Sequence, residues 1–501
     1  MITIRKKFYL LLATSILFNG CGDIELENCA CDSNDNIDSQ LNNIIVKNKL
    51  TGDALKHKQI PDISSPKAQL GMDLFFSKSL GADRDSACVT CHHPLLGGGD
   101  KLSLPIGTGA VTVNLLGKGR LHDSQASHYD GGPTVPRNAP TTFNMAAWNK
   151  VLFYDGRVEH LNPDDISTPD STHNVKDDLA TDNLASAQSR FPITSPEEMK
   201  GFNHQDKDNY EIREYVASRI GGYAEGTGEL NNTSYWLTKF QSAFEKPNIS
   251  ATELVTEQNI ALLIGEYENS QAFTNTPWKE YVEGNLNAIS NDAKKGALLF
   301  FNDNSKGGVN CVSCHSGDFF TDEGFHNIAM PQLGRGKGHG DELIEDLGRV
   351  AVTGDETDKY KFRTPSLVNT EVTGPWGHAG AYTSLKAVIK HHLNPKKAIE
   401  NYDFSQLTQT GIQNLDSLKQ NTNKAIKVLE EDQKNGLDTL QYATLTEVQI
   451  NQLISFITSL TDPCVLNKEC LSQWIPKPQQ DPNGDQLDAI DNKGNILRLV
   501  I

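Results

Sequence analysis

The sequence predicts a mainly α-helical chain in which one structural plan occurs twice. The pentapeptides Cys88-Val89-Thr90-Cys91-His92 and Cys311-Val312-Ser313-Cys314-His315 each follow an amphipathic segment, and strand-like alternation is sparse. Two cysteines separated by two residues and followed by histidine are the attachment pattern of haem c: both thiols bond to the haem vinyl groups and the histidine ligates the iron. The predicted fold class is therefore mainly α, with two cytochrome c-like haem domains in one chain.

Each motif has an alternative interpretation as a zinc half-site, or as a disulfide followed by an unrelated histidine. Zinc sites usually combine two Cys-x-x-Cys units at short separation. These two motifs are far apart in the chain, which favours haem attachment.

Length and charge limit the classes of function. The chain has 501 residues, 37% of them hydrophobic, which predicts two or three domains with real cores. Its net charge of -18 argues against nucleic acid as a partner, because phosphates would be repelled. The acidic balance is compatible with a basic electron-transfer partner, but it is also typical of ordinary soluble proteins.

The first residues have the pattern of a secretory signal. Arg5, Lys6 and Lys7 precede an apolar run over residues 8–18, which is too short to span a bilayer comfortably. We predict a signal peptide at 1–20, lipid attachment at Cys21 and a periplasmic location. Cleavage without lipid remains the alternative. Residues 21–50 are polar and are predicted to form a flexible tether.

The remaining cysteines fit an oxidising compartment. Cys464 and Cys470 bracket a short loop and are predicted to pair. Cys29 and Cys31 lie too close together for an easy bridge to each other and stay unassigned.

The first haem domain is predicted over residues 51–275. Apolar residues recur at helical spacing at 66–77 and again at 254–267. Residues 162–187 are rich in Asp, Ser, Thr and Asn, so we expect an inserted surface loop.

The second haem domain is predicted over residues 276–475. A helix at 292–301 precedes its motif, much as the earlier helix precedes Cys88, and this weak duplication favours two related units. Gly and charged residues at 334–358 predict a loop, and helices are expected at 384–392 and 446–460. Residues 476–501 are predicted to be a polar tail on the surface.

Ordered motifs along the chain resemble the bacterial di-haem cytochrome c peroxidase and MauG family. The resemblance runs from about residue 63 to residue 463. It implies peroxide chemistry at the N-terminal haem, and electron supply or charge storage at the C-terminal haem. Between and after the two CxxCH motifs, it rests on Gly-Gly-Gly-Asp at 97–100, Arg-Asn-Ala-Pro-Thr at 137–141, Tyr-Asp-Gly-Arg at 154–157, Pro-Glu-Glu-Met at 196–199, Phe-Arg-Thr-Pro-Ser-Leu at 362–367 and Thr-Gly-Pro at 373–375.

At the first haem, His92 is the expected proximal ligand. Peroxidases of the family often close the opposite face at rest with a histidine, and Thr108 occupies that position here. Because threonine is not an ordinary haem ligand, we expect this iron to stay five-coordinate, as in MauG-type enzymes. His93, His122 or His128 could still supply a ligand by another path.

Two distal residues carry over from the resemblance. Glu198 matches the family's distal glutamate and Gln188 matches its distal glutamine. A carboxyl group in a partly apolar pocket has a raised pKa, which suits it to move a proton between the two peroxide oxygens. Considered without the resemblance, Glu198 would be a solvated glutamate at the start of a helix.

At the second haem, His315 is the expected proximal ligand and His392 the distal one. His392 follows the apolar stripe of Leu385, Val388 and Ile389 at helical spacing, whereas the adjacent histidine lies about 100° around the helix. The family places methionine or tyrosine at position 392, so a bis-histidine haem would be a departure from it. The alternative is a buried structural histidine with another ligand, such as Met330.

The resemblance also implies residues between the haems. Tyr154 stands where the family has a tryptophan that relays electrons, and Trp148 is an alternative relay; either ring could simply pack. A calcium ion is implied on the Asn138 side chain and the backbone carbonyls of Thr373 and Pro375.

Together these features predict a di-haem c-type peroxidase that reduces hydrogen peroxide, with two haem c groups and one calcium ion. The electron donor would be a small redox protein, either a cytochrome c or a cupredoxin. A MauG-like oxidase acting on a partner protein and a non-catalytic electron carrier are the alternatives. A homodimer is possible from the resemblance.

Overall fold

A computed structural model describes residues 33–126, 128–129, 131–133, 135–181, 183–438, 440–478 and 481–498. The predicted signal peptide, Cys21, Cys29 and Cys31 lie outside these residues. None of the described helices has the length and apolar character needed to cross a bilayer.

The described chain is rich in helices, which confirms that part of the predicted fold class. Its first half contains helices α1 (Ser33–Lys47), α2 (Pro66–Phe75), α3 (Leu184–Ser189), α4 (Asn209–Gly221), α5 (Thr233–Ala243), α6 (Ala251–Leu254) and α7 (Glu257–Ser270), and strands β1 (Val151–Leu152), β2 (Val158–Asn162) and β3 (Asp165–Ser167).

The second half contains helices α8 (Pro277–Val282), α9 (Asn291–Phe301), α10 (Val350–Thr353), α11 (Leu385–Leu393), α12 (Pro395–Glu400), α13 (Leu418–Lys434), α14 (Glu447–Thr458) and α15 (Lys468–Leu471), and strands β4 (Phe325–His326) and β5 (Phe362–Arg363). The predicted helices near 66–77, 254–267, 292–301, 384–392 and 446–460 are all present. Ser65, Ser290 and Ser384 cap α2, α9 and α11 by accepting a backbone N–H of the first turn.

One helix pair organises each half. The helix before each CxxCH motif packs on a later helix, α2 on α7 and α9 on α14. A glycine makes both approaches possible: a β-carbon at Gly71 would lie 1.9 Å from the Leu263 carbonyl oxygen, and one at Gly296 would lie 1.9 Å from the Gln452 carbonyl oxygen. An aromatic residue four positions later, Tyr267 or Phe456, packs against the same glycine. This repeated contact supports the predicted duplication.

The N-terminal helix packs on the second half of the chain, and the C-terminal tail packs on the first half. Part of the predicted tether is instead α1, whose Leu41 is buried in the core of the second half and whose Asp38 pairs with Lys294. Its Asn/Asp-rich composition hid an apolar stripe at helical spacing. The C-terminal tail is bound to the first half. The Leu487 N–H donates to the Phe76 carbonyl, and Ser79 and Arg84 bind the Asp485 carboxylate.

The segment predicted as a surface loop at 162–187 includes β3, the last strand of a short antiparallel sheet, and the start of α3. Strand β2 pairs with both β1 and β3. Asp170 and Asp177 anchor the segment through ion pairs with the buried guanidinium groups of Arg213 and Arg190. The sequence also failed to indicate α4, α5 and α13. The predicted pair Cys464–Cys470 is a disulfide.

Candidate active site

A short 3₁₀ turn, Cys88–Thr90, positions the first CxxCH motif. The backbone N–H groups of Cys91 and His92 both donate to the Cys88 carbonyl, so the two thiols and the imidazole share one side of the turn. His92 Nδ1 lies 3.2 Å from the carbonyl oxygen of Gly98, within the Gly-Gly-Gly-Asp motif. A proton held on Nδ1 leaves Nε2 as the metal-binding nitrogen.

The second motif repeats this arrangement on the turn Cys311–Ser313. His315 Nδ1 lies 3.1 Å from the Phe320 carbonyl oxygen, so the same tautomer is favoured. Among the described cysteines, the four thiols of the two motifs are the free ones. Burial raises the pKa of Cys88 and Cys91, so neither is an activated thiolate of the kind used in disulfide exchange.

The geometry around His392 fits a haem iron held from both sides. The ring centroids of His315 and His392 are 6.2 Å apart. Imidazole nitrogen binds a first-row metal at about 2.0 Å, so two imidazoles facing each other across one ion have ring centres roughly 6 Å apart. His392 Nδ1 lies 2.8 Å from the Val388 carbonyl oxygen, which leaves its Nε2 for the metal.

His391 has a different role. It is fully buried, with Nδ1 2.8 Å from the Tyr382 hydroxyl and Nε2 2.8 Å from the Ile328 carbonyl oxygen. With both nitrogens occupied, it is a structural residue of the helix-packing interface. Met330 packs instead against a neighbouring apolar cluster that includes Leu333 and Tyr382.

Glu198 lies on a short π-helical stretch, Pro196–Lys200, which we call the distal segment. Met199 of this segment places its sulfur 3.9 Å from the Cys88 sulfur, so the segment contacts the first motif directly. Burial raises the pKa of Glu198; the positive charges of Arg157 and Lys337 oppose the shift, and Glu197 adds to it. The carboxyl group thus holds its proton to a higher pH than an exposed glutamate does.

Thr108 packs against the distal segment. Its hydroxyl donates to the Pro196 carbonyl and its backbone N–H donates to the Glu197 carbonyl. The side chain is almost wholly buried and its hydroxyl is engaged. Gln188 lies on α3, which packs on α7.

The alternative histidines lie in different places. His93 is buried against Phe76, with ring centroids 5.9 Å apart. His122 and His128 lie beside Gly109, one residue after Thr108, and His128 stacks on Phe202 at 4.0 Å.

Two aromatic residues lie between the halves. The Tyr154 hydroxyl donates to Asn138 Oδ1 at 3.2 Å, and burial raises the pKa of Tyr154 to about 12. Trp148 contacts Phe319, near the second motif, with ring centroids 5.0 Å apart. The guanidinium of Arg363 lies 3.6 Å above the Trp148 ring.

Three charged groups that sequence reasoning missed join the halves. Arg137 forms buried ion pairs with Asp155 and with Asp346, each at 2.6 Å. These residues come from the Arg-Asn-Ala-Pro-Thr and Tyr-Asp-Gly-Arg motifs and from the second half, so the motifs serve partly to lock the interface. The sequence does show a charged residue, Arg137 or Asp155, in each of these two motifs. It does not show the pairing with Asp346, because Asp346 lies far along the chain.

The expected calcium ligands lie near this interface. The Asn138 N–H donates to the His378 carbonyl, which brings Asn138 beside the 373–378 segment, and its Nδ2 donates to the Leu102 carbonyl. Its Oδ1 accepts the Tyr154 hydroxyl and retains a second lone pair. Of the described His, Cys, Asp and Glu side chains, the triad close enough to hold an ion together is Cys314, Asp322 and His326, and its thiol belongs to the second haem motif.

Comparisons with known proteins agree with this geometry. Residues 65–287 match the family model of di-haem cytochrome c peroxidases. The methylamine utilization protein MauG of Methylophilus methylotrophus is 28% identical over 69% of this chain and 80% of that protein. The cytochrome c551 peroxidase of Pseudomonas aeruginosa is 26% identical over 65% of this chain and 71% of that protein.

Solved structures share the fold. A MauG-like protein associated with microbial copper homeostasis has a TM-score of 0.53 and 19% identity, covering 83% of this chain and 97% of that chain. The di-haem peroxidase BthA of Burkholderia thailandensis has a TM-score of 0.51 and 17% identity, covering 87% of this chain and 92% of that chain. Residues 65–287 of the chain therefore match the di-haem cytochrome c peroxidase family, and the chain as a whole is similar to MauG and to cytochrome c551 peroxidase, oxidoreductases of that family.

Proposed function

We propose that this protein reduces hydrogen peroxide to water at the haem site of Cys88, Cys91 and His92, with electrons passed through the haem site of Cys311, Cys314, His315 and His392. One observation carries the proposal. An imidazole faces His315 at a spacing that fits a metal ion between them, whereas Glu198, a half-buried carboxyl group, lies on a segment that contacts the first motif.

When bound, the two haems supply the iron that accepts peroxide and the second redox centre that supplies electrons. Each turnover consumes one hydrogen peroxide, two electrons and two protons, and forms two waters. Glu198 takes the proton from one peroxide oxygen and returns it to the other, while Gln188 orients the peroxide by hydrogen bonding. The Thr108 hydroxyl donates to the Pro196 carbonyl and is no ordinary iron ligand, so Thr108 would leave the peroxide side of a bound haem open.

Electrons move between the sites past Tyr154 or Trp148. The Tyr154 hydroxyl donates to an amide oxygen, which is a poor proton acceptor, and this disfavours a relay that must release a proton. Trp148 needs no proton acceptor and contacts Phe319, which favours it as the relay. A calcium ion on Asn138, Thr373 and Pro375 would hold the interface between the halves.

Further proposals concern the cellular setting. An exported chain anchored by lipid at Cys21 would work in the periplasm and take electrons from a cytochrome c or a cupredoxin. A homodimer is proposed from the family resemblance.

A MauG-like oxidase that modifies residues of a partner protein is the second candidate. Two observations favour it: threonine at position 108, and imidazole facing His315, which lowers the reduction potential of a haem relative to methionine ligation. A low potential suits storage of an oxidising equivalent at the second site. A non-catalytic electron carrier is the third candidate, but it has no use for Glu198 and Gln188.

Peroxide added to the fully oxidised holoprotein, followed by rapid-mixing absorbance, tests these functions. We expect an immediate spectral change and peroxide turnover with a reduced cytochrome c or cupredoxin. An immediate change that persists without turnover favours the MauG-like oxidase. No reaction in either the oxidised or the half-reduced protein would reject both enzymes in favour of the carrier.

A further inference from the structure

The distal segment lies beside a loop that comes from the other half of the chain. Residues 334–340, the glycine-rich loop, have the sequence Gly-Arg-Gly-Lys-Gly-His-Gly, and their glycines at 334, 336, 338 and 340 have positive φ. Gly334 packs against Leu104 of the first half, close enough that a β-carbon would lie 2.3 Å from a Leu104 methyl. Arg335 forms an ion pair with Glu197 at 3.7 Å.

The glycine-rich loop is hydrogen bonded to other residues of the second half. The N–H groups of Lys337 and His339 both donate to the Glu345 carbonyl, and the His339 carbonyl accepts the Glu345 N–H. The Glu345 side chain is buried, with the Tyr360 hydroxyl at 2.7 Å and Lys424 also paired to it. The position of Lys337 is therefore fixed by the second half of the chain.

Glu198 and Lys337 line the same cavity of about 410 Å³, at the junction of the two halves. Other charged residues in this lining are largely compensated: Asp155 pairs with Arg137 and Arg157, and Glu159 pairs with Arg349. Within the described part of the chain, no carboxylate lies within 4.0 Å of the Lys337 ammonium. Lys337 is thus the least compensated cation facing Glu198.

We propose that Lys337 is a positioning residue which holds Glu198 ready to accept and return a proton. The inference rests on the proposed role of Glu198 in peroxide reduction. A cation in the cavity favours the carboxylate form, and so offsets the burial that favours the protonated form. The second half of the chain would then supply part of the proton chemistry of the first haem site.

The groups that face Glu198 come from several elements. Glu197 on the same segment disfavours the carboxylate form, and Arg157 on the turn after Tyr154 favours it. His173, which lies between β3 and α3, and the compensated Asp155 and Glu159 complete the charged or titratable lining. Of the two cations among them, Arg157 pairs with Asp155, whereas Lys337 can be neutralised without breaking an ion pair in the described structure.

A titration of the Glu198 carboxyl in the holoprotein by infrared difference spectroscopy tests the proposal. Glu198→Gln identifies the carboxyl band. We expect Lys337→Gln to move the midpoint of this band about 0.5–1 pH unit higher, and Lys337→Arg to restore it. The acid limb of the peroxide reaction should move by the same amount.

Arg335→Gln is the matched control, because it removes a cation of the same loop that pairs with Glu197 instead. A smaller shift in this variant, with unchanged unfolding temperatures, supports the proposal. An unshifted midpoint in Lys337→Gln, or an equal shift in Lys337→Arg, would overturn it. If Glu198→Gln reacts with peroxide at the rate of the natural protein, the proposed function of Glu198 fails instead, whatever Lys337 does to the titration.

Discussion

The two halves of the chain share a scaffold but differ in what lies near the histidine of each CxxCH motif. Both place a glycine of the helix before CxxCH against a carbonyl of a later helix, and both hold Nδ1 of the histidine with a backbone carbonyl. Yet the second motif faces His392, whereas the first contacts a segment that carries Glu198. The comparison teaches that the two halves share the scaffold around the CxxCH turn and differ in the side chains next to it. The proposed division between a reacting and a conducting site rests on that difference.

The largest effect is expected when the carboxyl group near the first motif is removed. Glu198→Gln keeps the size of the side chain but removes its proton transfer, so the peroxide reaction should slow by about 10²–10⁴-fold. Rapid-mixing absorbance of the oxidised holoprotein measures the rate. Glu197→Gln, one residue earlier and paired with Arg335, should change it little; equal losses in both variants would contradict the assignment.

The next largest effect is expected when the imidazole that faces His315 is replaced. His392→Met replaces imidazole with a thioether, which should raise the potential of this haem by on the order of 0.1 V, since axial ligands set potentials over a wide range. Spectroelectrochemical titration would resolve the two haems. His391→Gln should lower stability while leaving both potentials unchanged, because His391 binds Tyr382 and Ile328 and not the metal. A potential that moves only in His391→Gln would reverse the ligand assignment.

The shared scaffold is tested by Gly71→Ala and Gly296→Ala. Each added methyl meets a carbonyl oxygen, so each variant should lose about 1–3 kcal/mol in free energy of unfolding. Denaturant unfolding of the holoprotein measures the loss. Lys295→Ala, beside Gly296 but exposed, should fall within about 0.5 kcal/mol of the natural protein. A cost in only one half would show that the two helix pairs are not equivalent.

The smallest effect concerns a difference within that scaffold. Glu268 follows Tyr267 in α7, where Ile457 follows Phe456 in α14, and burial raises the pKa of Glu268 to about 8. Between about pH 4.5 and about pH 8, the folded chain holds a proton that the unfolded chain has released. The free energy of unfolding therefore falls as pH rises through this range, by at most about 1.4 kcal/mol per pH unit.

Glu268→Gln should remove this pH dependence. Unfolding temperatures of the holoprotein at pH 5 to 9 would measure it, with Glu266→Gln on the same helix as control. Parallel curves for the natural protein and Glu268→Gln would mean that Glu268 has a partner which keeps it ionised.

Local patterns predicted more of the site than of the fold around it. The two CxxCH motifs, the helices that precede them and the place of His392 on the apolar face of its helix each depend on residues within a few positions of one another. The helix α1 was missed because its polar composition outweighed its apolar stripe, and α4, α5 and α13 because they carry many charged or polar residues. In each case burial against distant residues, not local propensity, decided the helix.

The sequence by itself determined the two CxxCH motifs, the histidine that begins each candidate haem site, and the choice of Glu198 and His392 as candidate residues near them. The attachment motif and helical periodicity each involve residues a few positions apart, so both can be recognised in the sequence without knowledge of the fold. Only the tertiary structure decided that Lys337 shares a cavity with Glu198, that Arg363 lies over Trp148, and that the two chain ends pack on opposite halves. Such pairings join residues far apart in the chain, and they depend on how complete helices pack.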